Sequence, residues 1–262
     1  MSKDTAQCIN VLGRFCGRRD VPELTREHLR AVCGLDQADV MVLFGGSVLC
    51  GGDELARAMR NGVARRYVIV GGEGHTTEAL RSLVHDRHPQ IETAGLPEAQ
   101  VFAAYLRHVH DLQADLLECE STNCGNNITN LLALLRENRV PCSSIILMQD
   151  ATMQLRMDAG LRKHAPDVRI VNYAAYSATV VENGQELAFT GEISGMWDVE
   201  RYISLLLGEI PRLTDDENGY GPCGKGFIAH VDIPAEVNRA FEALCRKFPQ
   251  HVRAANPLYA SK

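Results

Sequence analysis

Two glycine pairs, each directly after a short apolar run, form the first candidate site in the sequence. The pairs are Gly45–Gly46 after the run 40–44 and Gly71–Gly72 after the run 67–70. Glycine lets the backbone approach a ligand closely and leaves amide N–H groups free to point at it, which suits phosphate and carboxylate groups. The alternative is that two tight turns need glycine only for their conformation. If the pairs contact a ligand, alanine at Gly46 or Gly72 should weaken binding more than folding.

A second candidate is the stretch "ECESTNCGNN", which carries more polar side chains than one helix start uses. Ser, Thr and Asn there can accept hydrogen bonds from the free amide groups of a helix. We expect Asn126 or Asn127 to cap the helix that follows. The polar residues in excess of that cap are predicted to contact a ligand. The cluster consists of Glu120, Ser121, Thr122, Asn123, Asn126 and Asn127.

Polar and charged side chains follow the second glycine pair and one further apolar run. Glu73 follows the second glycine pair, where an acidic side chain in nucleotide-binding folds often accepts the ribose hydroxyls. Its alternative is a solvated carboxylate in a turn. Gln149 and Asp150 end the run 144–150, and Arg156 lies one turn into the next helix. Arg156 could bind a carboxylate or phosphate with its two-pronged guanidinium, or could be a plain surface charge.

The elements that must position these residues alternate between strand and helix. The apolar runs predict five strands at 40–44, 67–70, 115–120, 144–150 and 168–173. Such alternation predicts an α/β fold: a Rossmann-like, mostly parallel five-stranded sheet with helices on both faces, plus a smaller helical lobe. Ligands bind outside the carboxyl ends of the strands in such sheets, so the four candidate loops are expected to share one edge.

The pattern also predicts where several elements begin and end. The first 35 residues indicate one short helical segment that ends at Gly34, and Asp53 is predicted to cap a helix over 54–61. The polar stretch 74–97 is interpreted as a loop or lid, whose His75, His85 and His88 could tune binding near neutral pH if it closes. Pro211 and the glycine-rich segment 219–226 are predicted joints. The predicted organisation is a helical segment at 1–35, a Rossmann-like domain at 36–180 and a mostly helical lobe at 181–262.

Composition restricts the class of protein. The chain has 262 residues, of which 45% are hydrophobic and 23% charged, as in an ordinary globular protein, and its formal charge of −6 argues against a nucleic-acid binder with a broad basic face. No apolar stretch approaches the roughly 20 residues that cross a bilayer, and the start does not resemble a secretory signal, so we expect a cytoplasmic protein without a membrane partner. Nine cysteines without a paired spacing indicate reduced thiols and no zinc site.

Known catalytic signatures are missing from the sequence. G-x-G-x-x-G does not follow the first strand, which makes NAD a weak expectation, and neither a P-loop nor a G-x-S-x-G elbow occurs. Cys50 and Cys124 lie in candidate loops, although a cysteine more often packs as a small apolar residue. The residues therefore name no nucleophile.

Six segments, in this order, resemble one family. They are "VLFGG", "IVGGEG", "ESTNCGNN", "QDATMQLRM", "WDVERYISLLLGEIPRL" and "GYGPCGKGFIAHVDIP". Together they resemble the YdcF branch of the YdcF/SanA/ElyC family over nearly the whole chain. The resemblance implies a Rossmann-like domain with a helical lobe, and a groove that binds S-adenosyl-L-methionine without a settled reaction.

The resemblance also implies which residues line that groove. They are Gly45, Gly46, Gly71, Gly72, Glu73, Gly74, Glu120, Ser121, Asn123 and Asn127. Ser47, Gln149 and Asp150 are added to the predicted ligand-binding residues because they lie in the same loops. The expected function is an S-adenosyl-L-methionine-binding protein, with a transferase as one candidate. Two alternatives stay open: an enzyme that uses a nucleotide or phosphosugar, and a non-catalytic small-molecule sensor.

Overall fold

A single parallel sheet organises the structure. The structure, a computed structural model, describes residues 4–46, 48–74, 76–184 and 186–251. The strands of this sheet are β1 (Ala38–Phe44), β2 (Ala64–Val70), β3 (Leu116–Glu118), β4 (Ser144–Met148) and β5 (Arg169–Asn172). They lie in the order β3-β2-β1-β4-β5, and every neighbouring pair is parallel. The predicted Rossmann-like α/β fold is confirmed, with an all-parallel sheet where a mostly parallel one was expected.

Nine helices and a hairpin accompany this sheet in the described part of the chain. The helices are α1 (Asp4–Cys16), α2 (Arg26–Cys33), α3 (Cys50–Arg60), α4 (Thr77–Arg87), α5 (Glu98–His110), α6 (Cys124–Glu137), α7 (Gln154–His164), α8 (Val199–Leu213) and α9 (Ala235–Lys247). Strands β6 (Val180–Asn183) and β7 (Glu186–Phe189) form an antiparallel hairpin. None of the helices traced in these ranges is long and apolar enough to cross a lipid bilayer.

The central strands carry continuous apolar runs, 40–44 in β1 and 67–70 in β2, because both faces of the sheet are covered there. On one face, Val40 and Val42 of β1 pack with Ile128 of α6 and Met157 of α7. On the other face, Met41 belongs to a larger cluster that includes residues of α3 and α5. A parallel sheet between two helical layers needs such continuous apolar runs, which is why these strands were recognisable from the sequence.

The start of the chain differs from the prediction. It forms two helices, α1 and α2, where one short helical segment was expected. The predicted end at Gly34 is confirmed, since this residue ends α2 in the left-handed conformation with φ +59°. Helix α1 packs against α8 and α9, so it joins elements from the other end of the chain.

Helix α3 begins earlier than predicted. It starts at Cys50, and its N-cap is Leu49, so the assignment of Asp53 as the cap is wrong. The carboxylate of Asp53 instead accepts hydrogen bonds from the hydroxyl of Tyr105 at 2.7 Å and lies 2.8 Å from Nε2 of His110. Both partners belong to α5, so Asp53 fixes the packing of two neighbouring helices rather than the start of one.

The segment 74–97 contains helix α4, so its interpretation as a loop is wrong. Leu80 and Val84 of α4 are fully buried, and the helix packs against α5. These few apolar positions lie among polar ones, which concealed the helix in the sequence. His85 approaches the carbonyl oxygen of Ile91 and His88 packs edge-on against Tyr105, whereas His75 lies outside the described residues.

The predicted joint at Pro211 is also misplaced. Pro211 lies inside the last turn of α8, which continues to Leu213. The glycine-rich segment 219–226 does lie between α8 and α9, as expected. The hairpin of β6 and β7, which the sequence did not reveal, comes before α8 and packs partly against α1.

Candidate functional site

A cavity of about 1010 Å³ opens at the carboxyl ends of the sheet strands. The loops after β1, β2, β3 and β4 form its floor and one side. Residues of α7 and α8, Trp197 and the segment 220–228 form the opposite side. The position is the one at which open parallel sheets bind their ligands.

Most of the predicted ligand-binding residues lie at this cavity. Those that line it are Gly45, Gly46, Gly71, Gly72, Glu73, Gly74, Ser121, Asn123, Asn127, Gln149 and Asp150. Glu120 is exposed and does not line it. Ser47 lies outside the described residues. The structure thus brings together eleven of the thirteen residues that the sequence singled out.

Gly72 is required by the packing of two loops. A methyl group at this position would overlap the carbonyl oxygen of Ser121 and lie 2.8 Å from that of Cys119. The hydroxyl of Ser121 accepts a hydrogen bond of 3.1 Å from the amide of Gly72. These contacts hold the loop after β2 against the loop after β3, so Gly72 has a structural role.

Gly46 differs from the other three glycines. A methyl group there would lie 3.7 Å from Oε1 of Gln149, an ordinary contact. The backbone of Gly46 is also outside the left-handed region. Neither packing nor conformation therefore demands glycine at this position, whose open face lines the cavity.

Glu98, which the sequence analysis did not single out, lies beside the two glycine turns. It is the first residue of α5, lines the cavity and is only 8% exposed. Its Oε1 accepts hydrogen bonds from the hydroxyls of Thr77 at 3.0 Å and Thr76 at 3.4 Å, while Oε2 has no hydrogen-bond partner among the described residues. A methyl group at Gly45 would lie 2.5 Å from Oε2, and one at Gly71 3.3 Å from it. Burial raises the pKa of Glu98.

Asp150 is another carboxylate of the cavity, and it is partly buried. Its Oδ1 accepts hydrogen bonds from the amide and hydroxyl of Thr152, at 2.8 and 2.6 Å, and from the hydroxyl of Tyr176 at 3.0 Å. Its Oδ2 accepts a long bond of 3.4 Å from the indole Nε1 of Trp197. Burial raises the pKa of Asp150, and these donors oppose that rise. Both of its oxygens are thus occupied by neutral donors.

The start of α6 explains part of the polar cluster. Asn123, rather than Asn126 or Asn127, is the N-cap, and its Oδ1 accepts hydrogen bonds from the amides of Gly125 and Asn126. The Asn126 side chain accepts in turn from the amide of Asn123 at 2.9 Å, which completes a capping box. Within the described ranges, the Asn127 side chain has no such partner and lines the cavity. Of the three asparagines, Asn127 has its side-chain amide available to a ligand.

Arg156 belongs to a buried ion pair, so its interpretation as a plain surface charge is wrong. Its guanidinium donates to both carboxylate oxygens of Glu209, at 2.6 and 3.1 Å. The two side chains are 14% and 6% exposed. The pair joins α7 to α8 across one side of the cavity. Arg156 already has an internal carboxylate partner, so it is not a free anion-binding group.

Further cations line the cavity on the side of α7 and α8. They are Lys163, Arg201 and Arg212, of which Arg212 also forms an ion pair with Glu209, with Nη1 3.6 Å from Oε1. Lys163 donates to the carbonyl oxygen of Gly226, and the guanidinium of Arg201 lies 5.6 Å from the ring centre of Trp197. The cavity therefore has acidic side chains mainly on the strand side and basic side chains on the helix side.

Glu73 is the predicted ribose ligand, and the structure places it at the rim. Its side chain is 63% exposed and forms an ion pair with Arg81 of α4. Glu98 is the more deeply buried carboxylate near the same strand end. It is the first residue after Pro97, where an acidic side chain is ordinarily explained by the positive end of the helix dipole, so nothing in the sequence marked it as part of a cavity.

The described residues form no metal centre, since no group of three or more His, Cys, Asp or Glu side chains in these ranges could hold an ion. Burial raises the pKa of the Cys50 thiol to about 12. Cys50 is thus a neutral thiol at physiological pH and a poor nucleophile. The side chains of the cavity are suited to bind a ligand through complementary charges.

No protein-family model matches the chain. Among solved structures, the chain is similar to the E. coli tRNA N6-threonylcarbamoyladenosine dehydratase, TcdA, at 14% sequence identity. The match covers 95% of this chain and 98% of that one, with a TM-score of 0.34. So distant a likeness says nothing about what this chain binds.

Proposed function

We propose that the protein binds S-adenosyl-L-methionine in the cavity at the carboxyl ends of the strands and belongs to the YdcF/SanA/ElyC family that its motifs resemble. The observation that carries the proposal is the mixed charge of the cavity. Glu98 and Asp150 lie on the strand side, and Lys163 and Arg201 on the helix side. S-adenosyl-L-methionine has a matching pattern, because it carries a sulfonium, an ammonium and a carboxylate on one small molecule.

The dimensions of the cavity support the same proposal. Sites for ligands of this class occupy about 300–1,000 Å³ and combine apolar walls with a few polar groups. The present cavity has about 1010 Å³, with Ile128, Leu205 and Phe227 among its apolar lining residues. An adenine ring would find apolar surface there, while Asn127 offers donors and an acceptor for its edge.

The proposal is tested by calorimetric titration of the purified protein with S-adenosyl-L-methionine, with S-adenosylhomocysteine and ATP as comparisons. We expect saturable binding of S-adenosyl-L-methionine with a higher affinity than that of ATP. A Gly46→Leu variant, whose side chain would project into the cavity, should lose this binding while it keeps its fold. Binding to the variant with unchanged affinity would place the ligand elsewhere, and no binding to the wild type would refute the proposal.

A nucleotide or phosphosugar is the second candidate ligand, and the basic side of the cavity favours it. Lys163, Arg201 and Arg212 line that side and could hold phosphate oxygens. This candidate predicts that ATP binds more tightly than adenosine and that competing inorganic phosphate weakens the binding. Either ligand is compatible with a sensor, which turnover measurements distinguish from an enzyme: a sensor binds the ligand and releases it unchanged.

A further inference from the structure

Glu98 differs from the other carboxylates of the cavity because one of its oxygens has neither an ion pair nor a hydrogen bond among the described residues. Four acidic residues of the described chain line the cavity: Glu73, Glu98, Asp150 and Glu209. Glu73 and Glu209 form ion pairs with arginines, and neutral donors occupy both oxygens of Asp150. Glu98 has donors on one oxygen and, within the ranges described, no ion pair.

A buried carboxylate in this state is costly unless a positive group compensates it. Removing a charge from water costs several kcal/mol, and buried charges are accordingly paired in folded proteins. Arg81 is the cation that acts on Glu98 from a distance, but its guanidinium donates to Glu73, Glu78 and the carbonyl oxygen of Leu96. In the empty cavity protonation offsets this cost, since burial raises the pKa of Glu98, whereas a cationic ligand in the cavity that Glu98 lines would stabilise the carboxylate.

We propose that Glu98 is the counter-ion of the ligand's sulfonium and so determines the preference for S-adenosyl-L-methionine over its uncharged thioether product. The inference rests on the function proposed above. It identifies Glu98 as the side chain that distinguishes a cationic ligand from an uncharged one.

The surroundings of Oε2 favour a sulfonium over an ammonium at this point. An ammonium brings three N–H donors, each of which needs an acceptor. A methyl group at Gly45 would lie 2.5 Å from Oε2 and one at Gly71 3.3 Å from it, so on this side Oε2 faces two residues without a side chain that could accept a hydrogen bond. The carbonyl oxygens of Gly71 and Gly72 already accept hydrogen bonds from the amides of Ala99 and Glu98, at 2.8 and 3.0 Å. A sulfonium has no N–H group and needs only the nearby negative charge, which Glu98 supplies.

The test is the ratio of two affinities in the same protein sample. Calorimetry gives the dissociation constants of S-adenosyl-L-methionine and S-adenosylhomocysteine for the wild type, for Glu98→Gln and for the matched control Glu78→Gln. Glu78 is an exposed carboxylate of α4 that does not line the cavity. We expect a preference for the sulfonium of roughly tenfold or more in the wild type and in Glu78→Gln, and a fall to about twofold in Glu98→Gln.

The possible results distinguish a failure of this inference from a failure of the proposed function. Equal affinities in the wild type, or an unchanged preference in Glu98→Gln, would overturn the role of Glu98 while the proposed function stands. Absence of binding by either compound to the wild type would overturn both. If Glu98→Gln does not fold, Glu98→Asp replaces it: the shorter side chain withdraws the carboxylate, so its preference should fall below that of the wild type, and an undiminished preference would contradict the inference.

Discussion

Gly46 and Gly72 occupy matching places after neighbouring strands, but the structure gives them different roles. Gly72 touches the backbone of the loop after β3, whereas the nearest atom to a methyl group on Gly46 would be a side-chain oxygen at 3.7 Å. The two explanations that the sequence left open, tight packing and ligand contact, therefore apply to different members of the same pattern. The expectation that alanine at either position weakens binding more than folding has to be restricted to Gly46.

These roles predict opposite results for two alanine substitutions. Gly72→Ala should destabilise the protein by about 3 kcal/mol, because the added methyl forces two loop backbones apart. Gly46→Ala should change the free energy of unfolding by less than about 1 kcal/mol, since its backbone conformation suits alanine. Urea denaturation measures both values. Equal destabilisation by the two substitutions would contradict the assignment.

At the scale of single residues, the sequence predicts those whose role follows from a local pattern. Gly45 and Gly71 were found because glycine after a strand has known local consequences, whereas the cap of α6 was expected at Asn126 or Asn127 and is Asn123. Glu98 was not found, since its place in the cavity depends on the contact of α5 with turns that lie far away in the chain. Trp197 and Arg201 were missed for the same reason, as they reach the cavity only through the position of α8.

Between elements, the ion pair of Arg156 with Glu209 is the contact most closely tied to the cavity. It connects α7, which packs on the sheet, to α8, which forms the opposite side. Both side chains are largely buried, so loss of Arg156 would leave the carboxylate of Glu209 with only Arg212, whose Nη1 lies 3.6 Å from Oε1.

Removal of the guanidinium should accordingly be costly. We expect Arg156→Ala to lower the free energy of unfolding by about 3–5 kcal/mol, and the double variant Arg156→Met with Glu209→Met to recover much of that loss. Arg246 provides a matched comparison, because it forms an ion pair with Glu242 in which both side chains are exposed, and Arg246→Ala should cost less than about 1 kcal/mol. Similar losses at both arginines would contradict the role given to burial.

Elements could be predicted where hydrophobic pattern and burial agree. The five sheet strands were recognised because both of their faces are covered. Helix α4 was missed because only a narrow stripe that includes Leu80 and Val84 is buried. The start of α3 was misplaced because Asp53, a residue typical of a helix cap, contacts another helix instead. In each case a tertiary contact overrides the local preference.

For the molecule as a whole, one apolar core connects segments that the sequence assigned to separate units. The cluster on one face of the sheet includes Leu12 of α1, Leu43 of β1, Leu207 of α8 and Leu244 of α9. The predicted boundaries near 35 and 180 thus cross a continuous core. The division into three parts stays a prediction, which an unfolding experiment can address.

A shared core predicts one cooperative unfolding transition. Trp197 is the only tryptophan and lies at the cavity, so its fluorescence reports on the contact between α8 and the sheet side, while far-UV circular dichroism reports on all helices. The two signals should change at the same urea concentration. A fluorescence midpoint well below that of circular dichroism would instead indicate that the region of α8 unfolds on its own.

The packing of α1 against α9 has a consequence for the synthesis of the chain. Ile9 and Leu12 of α1 are completely buried in the finished protein, in a part of the core that α9 helps to cover. A ribosome adds about 5–20 residues each second, so α1 leaves it on the order of ten seconds or more before α9 exists. During that interval the apolar face of α1 is not yet buried by α9. Molecular chaperones are suited to bind such an exposed apolar helix in a nascent chain. The side of the cavity that α8 forms is therefore completed among the last steps of translation.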